Sequence, residues 1–238
     1  MNQEARSREG MKPRPSGRGD VTVSYVHPGW VQHTFMQSLL LTLEHDRRAA
    51  TPVIRGVMPV RYRPAGIAHV RNEAVRTFLA GDAEWLWSVD TDMGFRADTL
   101  HALLAAADRE ERPVVGALCY GLVEEEPDDM GGMTTRVFPT LHGWSDEMKA
   151  FTEWEGPVPR GLVRVAGTGA ACLLVHRSVF ERVEAGAWFD PIVDGAGNVV
   201  GEDLSFCWRL GAAGVPVYVD TRIPTSHQKH VWINGMAG

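Results

Sequence analysis

Strand-like and helix-like segments alternate through the first half of this chain, and that alternation constrains its fold most strongly. The strand-like segments are apolar and rich in β-branched residues, and they lie at 21–26, 53–60, 85–89 and 114–118. Amphipathic segments separate them, beginning near Val31, Ile67 and Asp98. Strands that alternate with helices form a mostly parallel sheet with helices on both faces. The sequence therefore predicts an α/β fold.

The chain has 238 residues, which is enough for one sizeable α/β domain. Residues 1–19 are polar and rich in Arg, Gly and Pro, so we predict a disordered basic tail there and a single domain over residues 20–238. Residues 121–161 interrupt the alternation, because they are first acidic and then rich in Gly, Pro and aromatic side chains. We predict loops and short antiparallel strands there that shape a ligand site.

Composition argues against a membrane-spanning, secreted or nucleic-acid-binding protein. No apolar stretch approaches the roughly 20 residues that a membrane span needs. The N-terminus also lacks the apolar core of a secretory signal, which predicts a cytoplasmic protein. The net charge of −6 argues against a surface dedicated to nucleic acid. Cys119, Cys172 and Cys207 are far apart in apolar stretches, which predicts buried free thiols.

Two carboxylates, Asp90 and Asp92, directly follow the apolar segment 85–89. Alternate residues of an extended segment face the same way, and open α/β sheets bind ligands at the carboxyl edge of their strands. Carboxylate oxygens suit Mg²⁺ or Mn²⁺, which proteins usually share with substrate phosphates. The pair therefore predicts a metal–diphosphate site, with a solvated turn or helix cap as the alternative.

Glu202 and Asp203 begin a predicted helix after a glycine-rich segment. The helix dipole favours acidic residues in a first turn, so a purely structural role is one interpretation. The other is that one of the carboxylates faces a cleft as a general base. His227 follows the last predicted strand, where an imidazole can complete the ligand set of Mn²⁺ or make an ordinary hydrogen bond.

Arg71 and Asn72 lie near the start of a predicted helix, and Arg61 precedes them in a basic loop. Guanidinium groups and helix N-termini both favour diphosphate, although a solvated basic face explains Arg61 equally well. Gly169 lies in a run of small residues that allows a ligand to approach the backbone closely. The chain has no phosphate-binding P-loop and no GxGxxG after its first strand, which argues against P-loop NTPases and standard dinucleotide enzymes.

Together these features resemble the GT-A-fold nucleotide-sugar glycosyltransferases, particularly the compact family 2-like enzymes of bacteria and their phages. The resemblance extends over about residues 20–228. It rests on a first strand ending near His27, Arg71-Asn72, WLWSVDTDMGF, GTGAACLLVHR, GEDLSFCWRLGAAG and the late His227. It implies a Rossmann-like GT-A domain, a UDP- or GDP-sugar donor and a Mn²⁺ or Mg²⁺ ion.

The resemblance also implies roles for individual residues. Asp203 would be the catalytic base of an inverting transfer, and Glu202 would position the base or the acceptor. The implied donor-binding residues are His27, Arg61, Arg71, Asn72 and Asp90. The implied metal ligands are Asp90, Asp92 and His227. We assign acceptor binding to Gly169 and to Trp144 and Trp154, whose indoles can stack on a sugar or a nucleobase or serve only local packing.

The chain lacks the membrane segments and the Gln-x-x-Arg-Trp motif of polymerising synthases. We therefore expect transfer of one sugar to a soluble acceptor, which could be a protein, a glycan or a hydroxymethylated DNA base. A retaining mechanism stays open, as do the sugar and the oligomeric state. Two other functions also stay open: a nucleotidyltransferase, for which the segment HPGW is a poor phosphate loop, and a non-catalytic glycan- or nucleotide-binding module.

Overall fold

The computed structural model describes residues 20–125, 134–183, 186–195 and 197–229, so the predicted tail at 1–19 lies outside the described residues. The helices are α1 (His33–Arg48), α2 (Ile67–Leu79), α3 (Thr99–Ala106), α4 (Arg177–Arg182) and α5 (Glu202–Ala212). The strands are β1 (Val21–His27), β2 (Ile54–Arg61), β3 (Trp85–Val89), β4 (Met93–Gly94), β5 (Val114–Leu118), β6 (Tyr120–Glu125), β7 (Thr134–Pro139), β8 (Leu141–Ser145), β9 (Ala150–Glu153), β10 (Leu162–Val165), β11 (Gly167–Thr168), β12 (Cys172–His176), β13 (Ile192–Val193), β14 (Val199–Val200), β15 (Val217–Pro224) and β16 (Ser226–His227).

Seven of the described strands form a central sheet in the order β10-β15-β5-β12-β3-β1-β2. The β1–β2, β1–β3 and β5–β15 ladders are parallel, whereas β12 is antiparallel to both of its neighbours and β10 is antiparallel to β15. Five strands therefore run in one direction and two in the other. The sheet is mixed, with the predicted parallel majority.

Helices cover both faces of this sheet, as the alternation predicted. In β3, Leu86 belongs to one buried cluster and its neighbours Trp85 and Trp87 to the other, because successive strand residues face opposite sides. The first cluster includes residues of α2 and α5, namely Val75, Phe78, Phe206 and Leu210. The second includes residues of α1 and α3, namely Phe35, Leu39, Leu100 and Leu103. The β3 strand is thus buried from both sides, which explains its continuous apolar sequence.

The predicted irregular region contains short antiparallel strands in its described part. The β6 and β7 strands form a two-stranded ladder, and β8 pairs with both β9 and β11 in a small second sheet. This small sheet lies beside α5 through contacts between β11 and the helix. The prediction of an antiparallel region next to the main sheet is confirmed.

The β16 strand packs closely against β4, which follows β3. The two-residue strands β4 and β16 are antiparallel, with His227 opposite Met93 and Ser226 opposite Gly94. A Cβ atom on Gly94 would lie 2.4 Å from the Ser226 Oγ and 2.8 Å from the Thr34 Cγ2. A side chain at position 94 would therefore force the Ser226 and Thr34 side chains to shift, which favours glycine where β16 approaches.

Candidate active site

A cleft of about 590 Å³ opens at the carboxyl ends of β1 and β3, and we call it the Arg71 cleft. Loop residues after β1, the first two turns of α2 and the first turn of α5 also line it. The predicted site residues that line it are His27, Arg71, Asp90, Asp92, Glu202 and Asp203. Side chains that are distant in sequence therefore meet at the sheet edge where the strand pattern placed a ligand.

Arg71 is the centre of the charged groups in this cleft. Its side chain is 7% exposed, and it donates hydrogen bonds to Asp90 over 3.1 and 3.3 Å. Its Nε lies 3.4 Å from the Asp203 Oδ1 and 3.6 Å from the Glu202 Oε1. Burial alone lowers the pKa of Arg71, but the three carboxylates outweigh it and raise the pKa above its ordinary value. One permanently charged guanidinium thus faces three carboxylates.

Asp203 lies at the start of α5 with its carboxylate turned toward the body of the protein. Its Oδ2 accepts a 3.0 Å hydrogen bond from the Ala170 N–H. Its Oδ1 is shielded from solvent and accepts no hydrogen bond from another described residue. Burial raises the pKa of Asp203 to about 6, and the carboxylates of Glu202 and Asp90 add to this rise while Arg71 opposes it. A carboxylate with such a pKa is well suited to accept a proton near neutral pH.

Asp92 belongs to a second charged group on the other side of the cleft. Its Oδ2 lies 3.0 Å from the His227 Nε2 and 3.1 Å from the Lys229 Nζ. Burial raises the pKa of Asp92, but the hydrogen bonds and charges of His227 and Lys229 outweigh it and lower the pKa to about 2. Burial lowers the pKa of His227, but its hydrogen bonds to Asp92 and to the Tyr120 carbonyl raise it overall. Asp92 therefore carries its negative charge at every ordinary pH.

The Asp92–His227 pair has the chemistry of a divalent-cation site. The His227 Nδ1 donates to the Tyr120 carbonyl over 2.7 Å, which orients the ring and directs Nε2 toward Asp92. Metal-binding histidines in proteins are held in the same way. Magnesium needs only one or two protein carboxylates when phosphates and waters complete its shell. Asp90 is directed to Arg71 instead, and the described residues contain no group of three or more His, Cys, Asp or Glu side chains that could hold a metal.

Not every residue that the sequence singled out faces the Arg71 cleft. Asn72 is buried on α2, where its Nδ2 donates to Asp190 over 2.7 Å and its Oδ1 accepts from the Phe189 N–H over 2.9 Å. Arg61 is exposed at the end of β2 and lines a neighbouring surface depression. The polar groups of Asn72 thus connect α2 to the segment before β13.

The three residues assigned to the acceptor lie in two places. Gly169 lies beside the proposed base, since a Cβ at this position would be 3.6 Å from the Asp203 Oδ2. Trp144 and Trp154 line a separate groove on the small antiparallel sheet. Only Gly169 is therefore adjacent to the carboxylates of the Arg71 cleft.

Three further residues of the cleft were not singled out by the sequence. Trp30 and Tyr62 line it with side chains that are 62% and 45% exposed, which is unusual for aromatic residues. Both follow the ends of strands of the parallel half of the sheet, which is the signal that would have identified them. Lys229 contacts Asp92 from the segment after β16, and no local pattern indicates this contact.

Comparison with solved structures identifies the architecture. A197 from STIV aligns over 89% of this chain and 86% of its own, with a TM-score of 0.56 and 17% sequence identity. GalNAc-T7, solved with UDP, GalNAc and Mn²⁺, aligns over 88% of this chain with a TM-score of 0.55 and 12% identity. The chain has the GT-A fold. It spans 44% of the GalNAc-T7 chain.

At these sequence identities the similarity shows the fold alone, and the fold agrees with the predicted fold class. No protein-family model and no curated protein sequence matches the chain. None of the described helices is long and apolar enough to span a membrane.

Proposed function

We propose that this protein is a metal-dependent glycosyltransferase that moves one sugar from a nucleotide-sugar to a hydroxyl group of a soluble acceptor. One observation carries the proposal. The Arg71 cleft places a carboxylate of raised pKa, Asp203, in the same pocket as Asp92, which is paired with His227. The first group suits proton removal and the second suits a diphosphate-bound cation, and an inverting, metal-dependent sugar transfer uses both.

The Asp203 carboxylate would act as the base of an inverting transfer. The acceptor hydroxyl gives its proton to the carboxylate, and its oxygen forms a bond to the anomeric carbon. The bond from that carbon to the diphosphate breaks, and its electron pair leaves with the nucleoside diphosphate. Among the described residues Ala170 alone donates a hydrogen bond to Oδ2, so this oxygen keeps a lone pair for the proton.

Arg71 and Glu202 would control the protonation state of this base. Arg71 opposes the rise in the pKa of Asp203, whereas Glu202 and burial support it. A base with a pKa near 6 is ionised at neutral pH and still accepts a proton readily. Replacing Arg71 with a neutral residue would raise the pKa of Asp203 further and reduce the fraction of active enzyme.

Asp92 and His227 would hold Mn²⁺ or Mg²⁺, and the bound ion would neutralise charge on the leaving diphosphate. Lys229 contacts the same Asp92 oxygen, so its ammonium group would have to move aside for a cation to bind there, where it could contact the diphosphate instead. His27, Trp30 and Tyr62 line the part of the cleft beyond β1 and β2, where a nucleoside would lie. The structure of GalNAc-T7 with UDP, GalNAc and Mn²⁺ supports a nucleotide ligand for a chain of this fold.

The decisive experiment compares Asp203→Asn with wild type in two assays. The first is transfer from a panel of UDP- and GDP-sugars, read as release of nucleoside diphosphate. The second is thermal stabilisation by the same donors with and without Mn²⁺, since a ligand of the folded state raises the melting temperature. We expect the variant to lose turnover and to keep Mn²⁺-dependent donor binding.

Different outcomes separate the alternative functions. Turnover that is unchanged in Asp203→Asn would end the assignment of the base. Stabilisation by nucleoside triphosphates alone, with release of pyrophosphate, would favour a nucleotidyltransferase. Donor binding without turnover in the wild type, over a broad panel of acceptors, would favour a binding module.

A further inference from the structure

A second concave surface lies between the small antiparallel sheet and α5, and we call it the tryptophan groove. Its volume is about 560 Å³, and its described lining residues are all different from those of the Arg71 cleft. The lining residues include Trp144, Trp154, Arg164, Cys207, Trp208 and Gly211. The mechanism proposed above uses none of these side chains.

Two of the indoles are held with their surfaces open to solvent. Trp144 and Trp208 are 38% and 43% exposed. Trp144 packs at a steep angle against Phe151, and its Nε1 donates to Asp146 over 3.3 Å, so its ring orientation is fixed. The negatively polarised face of an indole attracts the C–H groups of a sugar ring. An oriented indole, Trp144, and a second open indole, Trp208, in the same groove therefore suit a saccharide.

The charge of the groove indicates which kind of saccharide fits. The chain has a net charge of −6, yet the described lining of the groove includes Arg164 and no Asp or Glu. The Arg164 side chain makes no hydrogen bond or ion pair with another described residue. A guanidinium group without a counter-ion is a favourable partner for carboxylate or sulfate. Asp146 contacts Trp144 at one side of the groove. The side that carries Arg164 is therefore the part complementary to a sugar with a negative group.

The groove also lies at a useful distance from the proposed base. Cys207 and Gly211 line it and follow Asp203 on α5 by four and eight residues, so they share a helix face with that base. The rise per residue places them about 6 and 12 Å further along the helix. The segment 166–170 covers this stretch of α5, because Thr168 contacts Cys207 and Ala170 donates a hydrogen bond to Asp203. A ligand that reaches both the groove and the base would therefore have to pass outside this segment and be several sugar units long.

We propose that the tryptophan groove binds an acidic saccharide, and that this saccharide is the remote part of the acceptor. The second half of this inference rests on the proposed function, whereas the first half does not. Binding is therefore measured separately from turnover, by titration calorimetry on the wild-type chain without donor. The probes are tetragalacturonate, a hyaluronan tetrasaccharide and sialyllactose, each compared with neutral cellotetraose.

We expect at least one acidic probe to bind about tenfold more tightly than cellotetraose at low salt, with a difference that shrinks as salt is added. Trp208→Ala should weaken that binding about tenfold, which corresponds to the loss of one aromatic contact. Arg164→Gln should remove the preference for the acidic probe. The matched control is Arg160→Gln, which changes another exposed arginine outside the groove and should bind like wild type.

Three results would overturn the inference: no binding of any acidic probe, equal binding of acidic and neutral probes, or binding that Trp208→Ala and Arg164→Gln leave intact. Failure of the proposed function gives a different pattern. In that case the wild type would bind the saccharide through the groove but would not glycosylate it with any donor. Both variants change exposed side chains, and circular dichroism verifies that they fold.

Discussion

The raised pKa of Asp203 has a consequence for stability that can be measured without any substrate. The pKa of Asp203 has its ordinary value of 3.8 in the unfolded chain and is about 6 in the folded protein. Between pH 4 and 6 the folded state therefore holds a proton on Asp203 that the unfolded state has largely released. Stability contributed by this group is therefore present at low pH and lost as the pH rises through 6. Asp203→Asn removes the charge and should remove this loss.

The size of the effect follows from the same two values. A rise of the pKa from 3.8 to about 6 corresponds to a cost of about 3 kcal/mol when the group is fully ionised. That cost is under about 1 kcal/mol at pH 4 and reaches about 3 kcal/mol at pH 8. The side chain is 25% exposed, so we treat 3 kcal/mol as an upper limit and expect a change of about 1 to 2 kcal/mol between these pH values.

The assay is urea unfolding of wild type and Asp203→Asn at several pH values between 4 and 8. The variant should gain stability relative to wild type as the pH rises. Asp92→Asn is the control: the pKa of Asp92 is lowered to about 2, so its charge stabilises the fold almost equally from pH 4 to 8, and this variant should lose a nearly constant amount of stability over that range. A difference between Asp203→Asn and wild type that stays constant with pH would refute the argument for a raised pKa.

Three further predictions concern the metal site, Asn72 and Gly94. Asp92→Ala should abolish the rise in melting temperature that Mn²⁺ and a nucleoside diphosphate produce together in a thermal-shift assay. A variant that is still stabilised by Mn²⁺ would exclude Asp92 as a ligand. Asn72→Ala should cost about 1 to 3 kcal/mol in urea unfolding, because the Phe189 N–H loses its acceptor, while donor affinity should be unchanged. Gly94→Ala should cost a similar amount through overpacking against Ser226, and unchanged stability would contradict the tight approach of β16.

The sequence predicted most of the central sheet because burial on both faces leaves a clear pattern. Residues 85–89 and 114–118 were predicted as strands, and both are buried strands of the sheet. The direction of β12 could not be predicted, because the composition of a strand indicates whether it is buried but not which strands it pairs with or in which direction. Its antiparallel place between β3 and β5 depends on the path of the intervening chain.

The site was less predictable, because local patterns do not say which side chains will meet. The sequence indicated that Asp90 and Asp92 would lie at the sheet edge, and both line the cleft. It did not indicate that they would have different partners, Arg71 for one and His227 with Lys229 for the other. These pairings join residues about 20 to 140 positions apart, so only the folded chain reveals them.

The short ladder between β4 and β16 links cation binding to local order. The ladder has two residue pairs, and hydrogen bonds from His227 to the Tyr120 carbonyl and from the Gln228 N–H to the Asp92 carbonyl extend it. Such small elements open locally at a low free-energy cost. A cation that needs both side chains binds only while this ladder is closed, so its binding energy adds to the stability of the closure. Amide hydrogen exchange at β16 would then slow as the cation concentration rises, while exchange in β3 stays unchanged. The exchange rate at β16 would therefore measure how much of the cation site is occupied.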